Sequence, residues 1–74
     1  MLNAVILLKI VPTKTEKILK LIKKMKNVRK TYFTYGRFDI VAFLEIDDYK
    51  EMRSVTGEIN SIEGVRSTET LAEA

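Results

Sequence analysis

The chain has no cysteine, no histidine and no tryptophan, and its 74 residues include a single proline and three glycines. Without cysteine there is no disulfide and no thiol nucleophile, and the redox compartment leaves no trace. Without histidine there is no Ser–His pair and no imidazole acid or base, and the two absences together nearly exclude a zinc site. Catalysis would fall to carboxylates, Lys, Tyr or Arg, and no recognisable pairing of these occurs. The chain is therefore expected not to be an enzyme, with no catalytic residues, no metal and no cofactor. Long apolar runs are missing too. The first one, Ala4 to Leu8 and then Ile10 and Val11, is interrupted by Lys9 and lacks the flanks of a secretory signal. It is far short of the roughly 20 residues of a membrane span. A cytoplasmic location without membrane contact is the expectation. Gln is absent and Asn scarce beside 13 Lys+Arg and 10 Asp+Glu, a bias that resembles thermophile composition.

This length makes one domain, residues 1–74. A core of that size supplies only about 3–5 kcal/mol of net stability without a staple. With disulfides and zinc set aside, oligomerisation is the remaining common staple.

Period-two patterning gives the strands. In residues 2–11 one alternating set, Leu2, Ala4, Ile6, Leu8 and Ile10, is wholly apolar; the other, Asn3, Val5, Leu7, Lys9 and Val11, is more than half apolar. Residues 38–46 repeat this, with Phe38, Ile40, Ala42, Leu44 and Ile46 on one face and Asp39, Val41, Phe43 and Glu45 on the other. Residues 28–35 mix polar and apolar on both faces, as an edge strand does, and 65–71 form a last, largely polar strand. Two helices lie between. Thr13 with Glu16 reads as a capping box before an apolar stripe of Ile18, Leu21, Ile22 and Met25, and Asn27 stops that helix. Asp48 with Glu51 opens the second, whose stripe is Met52, Val55, Ile59 and Ile62. Gly57 inside it predicts a fray, a bend or close packing on the sheet. Gly64 ends it.

The halves echo each other, since Asn27-Val28-Arg29-Lys30-Thr31 follows the first helix as Gly64-Val65-Arg66-Ser67-Thr68 follows the second. Right-handed crossovers then predict an α+β, ferredoxin-like β-α-β-β-α-β fold, a four-stranded antiparallel sheet in order 4-1-3-2 with both helices on one face. The fully apolar sets belong under the helices. Val5, Leu7, Val11, Val41 and Phe43 are left on the other face with no chain to cover them, which predicts a sheet-to-sheet homodimer.

At Thr34-Tyr35-Gly36-Arg37-Phe38-Asp39, a strand, Gly, two residues and Asp before an apolar run, the chain resembles the effector-binding RAM domain of the Lrp/AsnC regulators. The closing strand Val65–Leu71, with its Thr-x-Thr, is similar to that family's last strand. Because the first strand begins at Leu2, the resemblance is to stand-alone RAM proteins that lack the helix-turn-helix, and direct DNA binding is not expected. The resemblance implies an amino-acid effector bound between dimers of an octamer or decamer, and modulation of a DNA-binding Lrp/AsnC paralogue. It carries Gly36 and Asp39 into the ligand cleft, with Tyr35 and Arg37 as neighbours and Thr68, Thr70 and Leu71 from the final strand. Backbone N–H groups at the glycine suit a carboxylate, and the Asp39 carboxylate suits an α-ammonium group.

Each residue has a plainer reading. Gly36 serves as a hairpin glycine, Asp39 as a salt-bridge partner across an interface, and Tyr32, Phe33 and Tyr35 as sheet packing. Asp47 and Asp48 start a helix rather than hold a metal. Two other functions compete. The lysine-rich first helix and a net charge of +3 fit a nucleic-acid-binding protein, although the central strands lack the aromatic pattern of sheet-type RNA binders. A small dimeric ferredoxin-like enzyme shares the architecture.

Overall fold

The computed structural model describes residues 2–73. Its elements run β1 (Leu2–Ile10), a 3₁₀ turn (Pro12–Lys14), α1 (Thr15–Lys23), β2 (Val28–Phe33), β3 (Ile40–Ile46), α2 (Tyr49–Asn60) and β4 (Val65–Ala72). The sheet order β2-β3-β1-β4, with every pairing antiparallel, is the predicted one. The internal echo is also present. Val28 N–H donates to Met25 O and Val65 N–H to Ile62 O, both at 3.1 Å, so the two helix-to-strand turns are built alike.

The core is the face predicted for it. Ala4, Ile6, Leu8 and Ile10 of β1 and Ile40, Ala42, Leu44 and Ile46 of β3 are buried beneath Ile18 and Ile22 of α1 and Val55 and Ile59 of α2. Phe38 is not part of this face in the way the pattern suggests. It lies before β3, in the loop, and is half-buried.

Both helix starts were predicted from capping residues, and only one has its cap. Asp48 Oδ1 accepts from Glu51 N–H at 2.8 Å, and Glu51 Oε1 in turn accepts from Asp47 N–H at 2.8 Å. Thr13 caps nothing. Pro12 fixes its own φ near the helical value and has no N–H to leave unpaired, so the helical turn begins at Pro12 and Val11 takes the position before it. Thr13 is already inside that turn, and Thr15 supplies the hydroxyl contact, to Pro12 O at 2.8 Å.

The apolar stripe of α1 is also displaced. Leu21 is 41% exposed and Leu19 packs against the core in its place. The helices stand apart, α1 over β2 and α2 over β4, and Leu21 faces the groove between them with Met25 and Val55. Gly57 neither packs on the sheet nor interrupts α2: it is exposed, with open space where a Cβ would lie. Gly64 has the tighter role. Its φ is +98°, and a Cβ there would meet Lys14 Cβ at 2.9 Å, so the turn before β4 closes against the start of α1 only with glycine.

Candidate functional site

The motif around Gly36 is the loop Thr34–Asp39 between β2 and β3. Thr34 closes it twice, donating its N–H to Asp39 O at 2.9 Å and its hydroxyl to Phe38 O at 2.8 Å. Gly36 sits at φ +124°, a backbone conformation that side chains oppose, so the turn requires glycine. The reason for aspartate is in the register. The β1–β3 ladder ends at Leu8 and Ile40, and the loop turns away before it can pair with Ile10. Asp39 Oδ2 accepts the Ile10 N–H at 3.0 Å instead, a carboxylate standing in for the missing strand. That contact is made within one chain and is distinct from the interface salt bridge of the plainer reading. Among the described residues its second oxygen, Oδ1, has no hydrogen-bond partner.

That carboxylate borders a cleft of about 330 Å³ lined by Ile10, Pro12, Thr15, Phe33, Thr34, Tyr35 and Asp39. Tyr35, at the edge of the cleft, is fully exposed. Gly36 and Arg37 belong to the same loop but do not line the cleft; Arg37 O accepts from Lys9 Nζ at 3.5 Å. Ile10, Pro12, Thr15, Phe33 and Thr34 were not predicted as site residues. No periodicity carries the information that the 3₁₀ turn folds back beside the hairpin.

The final-strand residues do not join them. Thr68 and Thr70 pair with Leu8 and Ile6, which places them on the helix face, and Thr68 donates to Asn60 Oδ1 at 2.8 Å. β1 separates Thr68 from the β3 end of the cleft. Leu71 pairs with Val5 and therefore lies on the opposite, open face.

On that open face Val5, Leu7 and Val41 are half-buried and Phe43 is 40% exposed. Val11 lies one residue past the end of β1, in extended conformation, and its N–H donates to Gly64 O at 2.8 Å. Two unpredicted residues join the patch. Tyr32 meets Phe43 edge to face, ring centroids 5.9 Å apart, and Leu71 stands beside Val5. Around Val5, Tyr32, Phe43 and Leu71 the sheet forms a broad hollow of about 710 Å³, with the Arg29–Glu45 ion pair (2.6 Å) at its rim. This hollow is mostly apolar, while the smaller cleft at Asp39 carries the open carboxylate oxygen. Among the described residues no helix is long and apolar enough to cross a membrane, and no group of three His, Cys, Asp or Glu is placed to hold a metal.

A ferredoxin-like sheet with one uncovered apolar face, and beside it a cleft at a hairpin end that a single carboxylate borders, is the architecture of a class of small ligand-binding domains. Residues 3–72 match the Lrp/AsnC ligand binding domain, and the chain belongs to this family of effector-binding regulatory domains. It is similar over its whole length to TTHA0845 from Thermus thermophilus, at 31% identity and TM-score 0.94, covering 94% of that chain. Two regulators share the fold at lower identity. Against E. coli AsnC the identity is 20% and the TM-score 0.89, with 97% of this chain and 50% of that one covered. Against the Neisseria meningitidis regulator NMB0573, solved as a complex with L-Met, they are 18% and 0.84, with 99% and 49% covered. This chain thus spans about half the length of each regulator. A search of the curated proteins finds no match.

Proposed function

We propose that this domain senses an amino acid in the cytoplasm through its own assembly and passes the signal to an Lrp/AsnC-type transcription regulator. Two copies pair through the open faces, with Val5, Leu7, Val41 and Phe43 at the centre. Dimers then meet at the hairpin ends to form an octamer or decamer, with the ligand between them. The observation that carries this reading is the cleft at Asp39. One oxygen of the carboxylate is held by Ile10 N–H, which fixes its direction, and the other is open to an α-ammonium group. Ile10, Pro12 and Phe33 are suited to an apolar side chain, and the Gly36 turn and Arg37, on the same loop but outside this cleft, would reach a ligand's carboxylate from across the dimer–dimer contact. The fully exposed Tyr35 fits a lid contributed across the dimer–dimer contact. Thr68 and Thr70, under α2, and Leu71, on the open face, fit this site poorly. The L-Met complex of the Neisseria regulator supports an amino acid as the class of effector. The role requires binding and a shift between assembly states, with no bond made or broken.

Thermal-shift titration with the twenty amino acids tests it. At least one should raise the melting temperature, by the equivalent of about 2.7 kcal/mol at a hundredfold excess over its Kd. Asp39→Asn keeps an oxygen for Ile10 N–H and should fold, yet lose most of that shift. No stabilisation by any amino acid at millimolar concentration contradicts the reading.

A further inference from the structure

Eight basic residues and one acidic residue, Glu16, lie between Lys14 and Lys30, so this stretch carries +7 in a chain whose net charge is +3. The helix beside it is different: Lys50 and Arg53 of α2 are interleaved with Glu51 and Glu58. Among the described residues, only two of the eight basic groups have a carboxylate within ion-pair reach. Lys14 Nζ is 2.8 Å from Glu63 Oε1, and Arg29 Nε is 2.6 Å from Glu45 Oε1. Lys30 pairs with Phe43 and belongs to the open face of the sheet. Lys17, Lys20, Lys23, Lys24 and Lys26 remain, all exposed, on α1 and the turn that follows it.

A solvated helix face is ordinarily laced with both signs of charge. Here Lys17–Lys20, Lys20–Lys23 and Lys20–Lys24 set like charges at i, i+3 and i, i+4, spacings that oppose the helix. The negative end of the helix dipole offsets the lysines at the C-terminus but fades within the last turn, so Lys17 gains nothing from it.

We propose that these five lysines form a docking surface for the phosphate backbone of double-stranded nucleic acid. A membrane is a poorer fit, because Ile18 and Ile22 of α1 are fully buried and Leu21, which faces the groove beside α2, is the one large apolar side chain of the helix left exposed. An acidic protein is poorer too, since protein interfaces are depleted in lysine and centred on aromatic or arginine anchors, which this patch lacks. Single strands bind by stacking on aromatics; α1 and the turn after it carry none, and the exposed Tyr32 of β2 borders a hollow with just one of the five lysines, Lys23. A duplex offers one negative charge per about 1.7 Å of axis, which flexible point charges read without touching a base. The surface is on the helix side of the sheet, so pairing through the open face leaves it free.

Fluorescence anisotropy with a labelled duplex of arbitrary sequence and the full chain is the test. Five phosphate contacts give a slope of log affinity on log salt of about −4 to −5, and a loss of roughly 500-fold between about 50 and about 200 mM salt. Replacing Lys17, Lys20 and Lys24 by Gln should reduce the slope by nearly 3 units. The same three as Arg should restore it, and Lys50→Gln with Arg53→Gln should leave it unchanged. Melting curves confirm that each variant is folded. Absence of binding at about 50 mM salt, an unchanged slope in the glutamine variant, or tighter binding to single strands or phosphatidylserine vesicles overturns the proposal. No amino acid is added, so the outcome is independent of the effector reading.

Discussion

The two faces of one sheet carry nearly the same sequence pattern and meet different fates. On the helix side, Ile6, Leu8, Ile40 and Ala42 are completely buried. On the other side, the neighbours one residue away, Val5, Leu7, Val41 and Phe43, are apolar yet only partly covered. The difference is supply: a chain of 74 residues has two helices to spend and both lie on one face. An apolar face of this kind is stable in water when something else covers it, and a second copy is always at hand. On the proposed pairing, the first face reports on the stability of the subunit and the second on its assembly.

Substitutions can separate the two. Leu8→Ala, on the buried face, should cost about 2–5 kcal/mol in chemical denaturation and melt the subunit at much lower temperature. Phe43→Glu, on the open face, places a charge in the centre of the patch. It should abolish the concentration dependence of the melting temperature and yield a monomer by light scattering, with far-UV circular dichroism retained. If Phe43→Glu unfolded the chain as Leu8→Ala does, the two faces would not have separate roles. Smaller effects come from the helix ends. Asp48→Ala should cost about 1 kcal/mol, because it removes the acceptor for Glu51 N–H, whereas Thr13→Ala should cost close to nothing. The smallest is electrostatic. Lys14, by hydrogen bond and charge, and then Lys17 hold the exposed Glu63 carboxyl below its ordinary range. A depressed carboxyl stabilises the fold above its unfolded pKa and loses that contribution as pH falls through the folded value. Glu63→Gln should therefore shift stability slightly at neutral pH and low salt and not at all in strong acid, measured by parallel melts.

Strand order, both faces and the buried set were legible because alternation in β1 and β3 is nearly unbroken and crossover handedness leaves one topology. What escaped was whatever depends on where a turn begins or on which neighbour lies across the sheet. Pro12 started a turn ahead of Thr13, and the gap between the helices turned Leu21 outward and Leu19 inward. The site was read in part. The need for glycine at Gly36 and the placing of Asp39 follow from the motif. Pro12 and Thr15 reach the same cleft only through tertiary folding, whereas Thr68 and Leu71 are split between faces by the alternation of their own strand, and the register with β1 sets which face each takes. Asp39 is the instructive residue: its hold on Ile10 N–H is a structural role that neither sequence reading named, and its second oxygen stays open.

Sedimentation velocity of the unmodified protein, from low to high micromolar, tests most directly whether the open face is an interface. A dimer or a larger assembly of dimers throughout, reduced to a monomer by Phe43→Glu, is the predicted result; a monomer across the whole range contradicts it.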